Sequence, residues 1–447
     1  MSELAEHPTT LDEYRCPGQS APISRAVHLG RLARFYPACR QCPRRDETGT
    51  LSGRLVKRLA ETRRRGQSRP LWDGEAAVGV YGNEMTPSLA RSLASALGLT
   101  LLDQTHDDGQ PPAAIIAGDG RPLATELLAA VSEGLRWSGC NVVDIGAASV
   151  PCLAFAISHL RCAGGIHLGN PGGRAETVGL RFWTAGPRPL SSAALPEPIF
   201  PAIFPAKIGC GPQPFFARIE AGLNRPTRKF GSLGRFQADE PYLAALAPSY
   251  HALRPLRFVL DAPCRPLAGY VRRLTAPVAC EPLPCPARDQ LAEQVRRESA
   301  HFGVHLDADG ETCQLWDERG QPVRGESLLL LAAEAAAGTG TPVAPGESGG
   351  VVVVEEATSA STVRRLGRQG HRVVACPALR AEMYDACRQS HAILGGGPSG
   401  RFWYALEYHP VADALVSLTL LLARLSRSDR PLSQVLEDLP TYSSRSA

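Results

Sequence analysis

The chain has 447 residues, of which 44% are hydrophobic and 21% are charged, a composition typical of a globular protein with room for several domains. A net charge of +4 is too small for this length to indicate any one class of partner. The first residues have neither the basic start nor the apolar core of a secretory signal, and no apolar run is long enough to span a bilayer. Because the 13 cysteines are scattered in apolar segments, we expect a cytoplasmic protein without a disulfide framework.

Residues 1–70 are predicted to form an N-terminal extension that contains a metal-binding pattern. Cys39 and Cys42 form a CxxC turn, which can present two thiolates to one tetrahedral metal ion. Cys16 and His28 would complete a ligand set for Zn²⁺. The pattern leaves two alternatives open, namely unbound thiols and a redox pair.

The extension is rich in arginine between Arg44 and Arg65. Such a run is typical of a solvated helical face, and less often of a basic arm that binds nucleic acid. No aromatic side chains interleave with these arginines to stack on bases. We therefore expect the solvated face rather than a nucleic-acid partner.

Strands and helices alternate after about residue 72, which predicts an α/β domain with at least partly parallel strands. Thr86-Pro87 opens a helix that is expected to stop at Gly98, because proline favours helix starts and glycine favours helix ends. The other predicted segments are the strands Ala77–Tyr81, Pro112–Gly118 and Asn141–Ile145 and the helices Thr125–Ser138 and Leu153–Leu160.

The stretch Gly164–Trp183, GGIHLGNPGGRAETVGLRFW, contains what we call the first glycine loop, between an apolar segment and a strand-like end. Gly169, Gly172 and Gly173 would let backbone N–H groups approach a phosphate closely, since glycine tolerates positive φ. An ordinary turn between two strands is the alternative for this stretch taken alone.

A second candidate site is the acidic loop, Asp307-Ala308-Asp309-Gly310-Glu311, which follows the predicted strand Gly303–Leu306. Carboxylates at alternate positions of an extended segment point the same way. Three oxygen donors on one side suit Mg²⁺, and a surface acidic turn is the alternative.

A third candidate is the second glycine loop, Gly395-Gly396-Gly397-Pro398-Ser399-Gly400-Arg401. It lies after a predicted strand and before a predicted helix over Val411–Ser426. Its composition alone is that of a flexible turn, and only its position suggests a binding loop.

In order and spacing, these loops resemble those of the α-D-phosphohexomutase superfamily, which includes phosphoglucomutase and phosphomannomutase. Gly164-Gly165-Ile166 and Gly179-Leu180-Arg181-Phe182 match the two ends of the family's phosphoserine loop. The family's nucleophilic serine falls on Pro171. Gly118-Asp119-Gly120-Arg121-Pro122 is similar to the family's arginine turn, which implies that Arg121 contacts substrate.

The acidic loop is similar to the family's metal loop, whose three aspartates fall on Asp307, Asp309 and Glu311. The resemblance therefore implies bound Mg²⁺ at these three residues. The arginine that follows in the family is replaced by Thr312.

The second glycine loop is similar to the family's sugar-recognition loop. Gly396 and Ser399 match, whereas the family's glutamate and histidine are replaced by Gly397 and Arg401. The resemblance implies a phosphorylated sugar as ligand, contacted by Gly396, Ser399 and Arg401 as well as Arg121.

For the fold, the resemblance implies three consecutive α/β domains, with mixed sheets flanked by helices, around a central cleft. The family's C-terminal phosphate-binding domain has no counterpart in the sequence. The expected parts are the extension at 1–70, the first domain at 71–195, a linker at 196–237, the second domain at 238–338 and the third at 345–440.

Phosphoryl exchange needs a nucleophile, and proline cannot carry phosphate. We therefore expect a mutase-like protein with impaired catalysis that binds a phosphosugar or has a regulatory or structural role. One alternative is an active Mg²⁺-dependent mutase that uses His167 or Thr177 as nucleophile. Another is a zinc-binding scaffold or nucleic-acid partner that acts through its N-terminus. The sequence does not indicate an oligomeric state.

Overall fold

The computed structural model describes residues 14–17, 19–40, 42–61, 74–104, 111–171, 173–190, 229–337, 349–406, 409–437 and 439. Their strands form three separate β-sheets, and helices pack against each of them. No helix within these ranges is long and apolar enough to cross a membrane. Most of the predicted linker at 196–237 lies outside the described residues, as do residues 338–348 and those from 440 onward.

The first sheet is mixed. Its strands are β1 (Ala77–Val80), β2 (Ala113–Gly118), β3 (Asn141–Ala147), β4 (Gly164–Gly169), β5 (Thr177–Thr184), β6 (Arg188–Pro189) and β7 (Leu233–Arg235). The order is β1–β5–β4–β2–β3–β7, and β6 pairs with β5. β4, β2, β3 and β7 run parallel, whereas β5 is antiparallel to β1 and β4.

The second and third sheets repeat this mixed pattern on a smaller scale. The second contains β8 (Leu256–Asp261), β9 (Cys280–Pro284), β10 (Phe302–Leu306) and β11 (Cys313–Trp316), in the order β11–β10–β8–β9. The third contains β12 (Val351–Glu355), β13 (Arg372–Cys376), β14 (Leu394–Gly396), β15 (Trp403–Leu406) and β16 (His409–Ala412), in the order β13–β12–β14–β15–β16.

The helices follow the strands along the chain. The extension and the first sheet carry α1 (Arg25–Ala33), α2 (Gly53–Glu61), α3 (Pro87–Gln104), α4 (Pro122–Trp137) and α5 (Val150–His159). The part of the chain that forms the second sheet also contains α6 (Asp239–Leu246), α7 (Arg265–Thr275), α8 (Leu291–Arg297) and α9 (Gly325–Ala337). The third is accompanied by α10 (Ala360–Arg368), α11 (Arg380–Gln389), α12 (Ala414–Leu425) and α13 (Leu432–Glu437).

Helix α5 joins the first sheet to the rest of the molecule. Ser149 caps its N-terminus by accepting a hydrogen bond from the Cys152 N–H, and Pro151 occupies the first turn, where a missing N–H costs nothing. The helix is apolar on all sides and buried from Val150 to Ile157, as expected for a helix enclosed by other elements. It contacts β2 and β4 of the first sheet and β16 of the third.

The sequence predicts that the helix beginning at Thr86-Pro87 stops at Gly98, and this prediction is wrong. Helix α3 continues to Gln104, and Gly98 lies buried in its middle. A Cβ atom at Gly98 would lie 2.8 Å from the Cβ and Oγ atoms of Ser138, at the end of α4. The glycine therefore allows two helices to pack closely and does not act as a cap.

The N-terminal extension packs on the first sheet. Leu32, Phe35 and Leu59 share a buried cluster with Tyr81, directly after β1. The Arg40 guanidinium strengthens the contact, because it donates hydrogen bonds to the Tyr81 carbonyl at 3.1 Å and to the next carbonyl at 2.8 Å. The boundary between the extension, which is predicted to end at residue 70, and the first domain, which is predicted to begin at residue 71, stays a prediction.

Candidate functional site

The first glycine loop connects β4 to β5, and its backbone is fixed by Arg121. The Arg121 guanidinium donates hydrogen bonds to the carbonyls of Gly169 at 3.0 Å and Thr177 at 2.9 Å. Its Nε also donates to Asp119 at 2.6 Å. The residue predicted to contact substrate therefore has its donors committed to holding the two ends of this loop.

Pro171 lies inside the loop, at the position expected for the nucleophile. Its ring packs on Gly179 of β5, since a Cβ atom at Gly179 would lie 2.6 Å from the proline Cγ. Thr177 is the only hydroxyl residue between Gly169 and Gly179. It is buried, and its hydroxyl donates hydrogen bonds to Asn170 Oδ1 at 3.1 Å and to the Arg174 carbonyl at 3.0 Å.

His167, the other candidate nucleophile, is fully buried in β4. Its Nε2 lies 2.9 Å from the Ala148 carbonyl and must be the donor there, because a carbonyl can only accept. Burial lowers the pKa of His167, so the ring is neutral with its unprotonated Nδ1 facing the protein interior. Burial of both candidates favours structural roles for His167 and Thr177.

The acidic loop connects β10 to β11 and touches both flanking sheets through its backbone. The Val150 N–H at the start of α5 donates to the Asp309 carbonyl at 2.9 Å. The Ala414 N–H at the start of α12 donates to the Gly310 carbonyl at 3.0 Å. Cys313, just after the loop, donates its N–H to the Gly400 carbonyl at 2.9 Å. These contacts bring elements of all three sheets to one place, as the resemblance implies.

The carboxylates of the acidic loop already have partners within the chain. Asp307 accepts hydrogen bonds from the Glu311 N–H at 2.8 Å and from the Thr312 hydroxyl. Asp309 pairs with Arg181 of β5, whose Nη1 lies 2.6 Å from Oδ2. Glu311 accepts from Nε of Arg380 at 2.8 Å and also contacts its Nη2.

Charge within this cluster sets the ionisation of its carboxyl groups. Burial alone would raise the pKa of Glu311, but the guanidinium groups of Arg380, Arg401 and Arg181 lower it to about 2. Burial and the neighbouring carboxylates raise the pKa of Asp307. Glu311 is therefore a charged partner for arginine at neutral pH.

Arg380 links parts of the chain that are far apart in sequence. It begins helix α11, and its backbone N–H donates to Glu75 Oε1 at 2.5 Å, while its Nη1 contacts Glu75 Oε2. The same guanidinium binds Glu311. One buried cation thus joins the start of the first sheet, the acidic loop and the third sheet.

The second glycine loop is held by Glu355, at the end of β12. Its carboxylate accepts from the Ser399 N–H at 3.1 Å and from the Ser399 hydroxyl. A Cβ atom at Gly397 would lie 2.7 Å from the Cβ of Glu355, so only glycine fits. Gly396 has φ +157° and a Cβ there would lie 2.5 Å from the Phe402 ring.

Arg401 follows this loop and faces the acidic loop. Its Nη1 donates to the Ala378 carbonyl at 3.4 Å, and its buried Nε has no hydrogen-bond partner within the described residues. Burial and the positive charge of Arg380 lower its pKa. Arg401 therefore keeps unused donor capacity, as does Arg181, whose buried Nε also has no hydrogen-bond partner within the described residues.

The residues of the acidic loop do not fit Mg²⁺ in this arrangement. No group of three or more His, Cys, Asp or Glu side chains within the described ranges has the geometry to hold a metal ion. At Asp307, Asp309 and Glu311, the oxygens that would coordinate a cation accept hydrogen bonds or ion pairs from the chain itself. The predicted ligand set is thus present in sequence but is engaged by arginines in space.

The predicted Zn²⁺ site in the N-terminal extension is not supported, because no group of three or more possible metal ligands occurs within the described ranges. Cys16 Sγ accepts a hydrogen bond from Arg31 at 3.0 Å. His28 stacks on Tyr14 with ring centroids 4.2 Å apart, and its Nε2 lies 3.3 Å from the Glu47 carbonyl. Cys39 and Cys42 are free and buried, and burial raises the pKa of Cys39 to about 11, which favours a neutral thiol.

The sequence interpretation missed the partners that define the site. Glu355 had a detectable signal, because a charged residue directly follows the apolar run of a buried parallel strand. Glu75 and Arg380 had none, because nothing local marks either residue as a partner of the acidic loop.

Fold and site together define a multidomain α/β protein whose glycine-rich and acidic loops converge between three mixed sheets. Residues 76–197 match the family description "Phosphoglucomutase/phosphomannomutase, alpha/beta/alpha domain I". This match, together with the relatives and solved structures described next, supports the α-D-phosphohexomutase superfamily for this chain.

Two curated relatives are similar to most of the chain. It is 26% identical over 382 residues to phosphoglucosamine mutase of Neisseria meningitidis serogroup B, covering 80% of this chain and 79% of the relative. It is also 26% identical over 391 residues to phosphoglucosamine mutase of Acidothermus cellulolyticus, covering 82% of this chain and 78% of that relative.

Solved structures support the fold. A phosphoglucomutase/phosphomannomutase family protein from Burkholderia thailandensis superposes with a TM-score of 0.69 at 20% identity, over 82% of this chain and 79% of that one. Parafusin, a phosphoglucomutase from Paramecium, gives a TM-score of 0.60 at 12% identity, over 83% and 75%.

Proposed function

We propose that this protein is a phosphohexomutase-like protein with impaired catalysis, whose role is to bind a phosphosugar or to act as a regulatory or structural module. The observation that carries the proposal is the first glycine loop, which has Pro171 at the position of the nucleophile. Proline offers no lone pair that could accept a phosphoryl group and release it again. The loss of a covalent nucleophile costs on the order of 10⁶ in turnover in other enzymes.

Two further features support the proposal. The remaining hydroxyl of the loop, that of Thr177, is buried and donates to neighbouring oxygens. Arg121 is hydrogen-bonded to the loop's own backbone. Repair of the reaction would therefore need changes at several positions at once.

The expected ligand is a phosphorylated hexose or hexosamine. Because the curated relatives are phosphoglucosamine mutases, glucosamine phosphates are the first compounds to test. Arg401 would contact the phosphate, since its half-buried side chain directly follows the second glycine loop and its Nε lacks a partner among the described residues.

The experiment has a catalytic and a binding arm. In the catalytic arm, the purified protein is incubated with Mg²⁺, a hexose or hexosamine phosphate and the matching bisphosphate, beside an active phosphomannomutase. We expect no interconversion, and turnover at enzymatic rates would refute the proposal.

In the binding arm, calorimetry with glucosamine 6-phosphate compares the protein with Arg401→Gln. Arg54→Gln, at an exposed position of α2, is the matched control for loss of one arginine. Binding that is lost only in Arg401→Gln supports a ligand-binding role. Equal heats for all three proteins would exclude Arg401 as a phosphate contact.

A further inference from the structure

The acidic loop is surrounded by arginines that come from the two flanking sheets. Arg181 lies in the middle of β5, and its side chain is 8% exposed, while that of Asp309 is 6% exposed. Arg380 and Glu311 are equally enclosed, with side chains 5% and 4% exposed. Ion pairs this deep are shielded from water and salt, so each charge depends on its partner.

The arginines are matched in number by the carboxylates that face them. Three guanidinium groups, those of Arg181, Arg380 and Arg401, face three carboxylates, those of Asp309, Glu311 and Glu75. Asp307 is a fourth acidic side chain beside them, and it accepts hydrogen bonds from the loop itself. The arginines therefore compensate the charges of Asp309, Glu311 and Glu75 without an external cation.

A divalent cation would also have to displace these arginines. Mg²⁺ requires a near-octahedral set of oxygens at about 2.0–2.1 Å. Asp309 Oδ2 is bound to Arg181, both oxygens of Glu311 are bound to Arg380, and only Asp309 Oδ1 has no partner among the described residues. Unless Arg181 and Arg380 move, only Asp309 Oδ1 and the hydrogen-bonded oxygens of Asp307 remain, which is fewer than the three carboxylates of the predicted ligand set.

The guanidinium groups provide a link that an ion held by the acidic loop alone would not. Arg380 contacts Glu75 near the first sheet and Glu311 beside the second, and it belongs to the third. Arg181 joins β5 of the first sheet to Asp309 of the second. The ion pairs thus connect all three sheets directly.

We propose that Arg181 and Arg380 permanently take the place of a divalent cation at the acidic loop, so that this centre binds no divalent metal and holds the three sheets in one fixed arrangement. The inference concerns cation binding and stability. It stands or falls independently of whether the protein turns over a phosphosugar.

The test uses Arg181→Met and Arg380→Met, which keep a long apolar side chain but remove the charge. Arg188→Met is the matched control, because Arg188 also bridges the first and third sheets, through Asp385 at 2.7 and 2.5 Å, away from the acidic loop. Calorimetry with Mg²⁺ and with Mn²⁺ measures binding. Thermal unfolding with added Mg²⁺ or with EDTA measures stability.

The unsubstituted protein is expected to give no binding heat and the same unfolding midpoint with Mg²⁺ as with EDTA. Arg181→Met and Arg380→Met should lower the midpoint, and Mg²⁺ should restore part of the loss because carboxylates have been freed. Arg188→Met should show no response to Mg²⁺.

Stoichiometric Mg²⁺ binding by the unsubstituted protein, lost in Asp309→Asn, would overturn the proposal. Unchanged midpoints in both Arg181→Met and Arg380→Met would overturn the structural part of it. If either variant fails to fold, titration of the unsubstituted protein still decides whether the centre takes a divalent cation.

Discussion

Replacement of Glu311 by glutamine tests the charge balance of the acidic loop quantitatively. The substitution keeps the shape of the side chain but leaves Arg380 and Arg181 without their shared carboxylate. Removal of one member of a buried ion pair typically costs about 3–5 kcal/mol. A loss of this size is large against the total stability of a domain.

The lowered pKa of Glu311 gives a second value for the unfolding free energy that Glu311→Gln would remove. Folding lowers it from 4.5 to about 2, mainly because the guanidinium groups overcome the opposing effect of burial. A shift of this size corresponds to roughly 3 kcal/mol. Because the folded-state pKa is the lower one, this stabilisation is present above pH 4.5 and is lost as the pH falls toward 2.

The assay is urea unfolding of the natural chain and of Glu311→Gln between pH 7 and pH 2. We expect the variant to be about 3 kcal/mol less stable at neutral pH and the difference to shrink steadily below pH 4.5. Two stability curves that stay parallel down to pH 2 would refute the ion-pair account.

Three other substitutions test separate parts of the structure. Tyr242→Phe removes the hydroxyl that donates to buried Asp413 at 2.7 Å, so we expect a loss of about 1–3 kcal/mol in urea unfolding, and an unchanged stability would contradict this contact. Gly134→Ala should lower the thermal midpoint, because the added Cβ would lie 2.3 Å from the Arg91 carbonyl oxygen. Gly30→Ala should raise the midpoint, because this helical position is open and alanine favours helix more than glycine does. Midpoint shifts of the same sign in the two variants would be inconsistent with this packing. Pro171→Ser should remain inactive in a mutase assay, because a new hydroxyl leaves the arginines at the acidic loop in place, and measurable turnover would show that proline was the only defect.

Local sequence patterns were enough to predict the α/β class and the three loops. Glycine and aspartate mark turns and loop ends through their own backbone preferences, so the first glycine loop and the acidic loop could be located from the sequence. The solved relatives confirm the fold class. The domain boundaries remain predictions, since much of the linker sequence lies outside the described residues.

The partners of the acidic loop could not be predicted, because they depend on contacts between distant parts of the chain. Arg380 and Glu75 are 305 residues apart, and no local pattern records their pairing. The role of Gly98 was misjudged for a similar reason. Its need for glycine comes from Ser138 on a neighbouring helix and not from the end of its own helix.

The most direct test of the central claim is the intact mass of the protein after incubation with Mg²⁺ and a hexose 1,6-bisphosphate. Our account predicts an unchanged mass, since Pro171 cannot accept a phosphoryl group and Thr177 is buried. A stoichiometric gain of one phosphoryl group on any residue of the first glycine loop would contradict it.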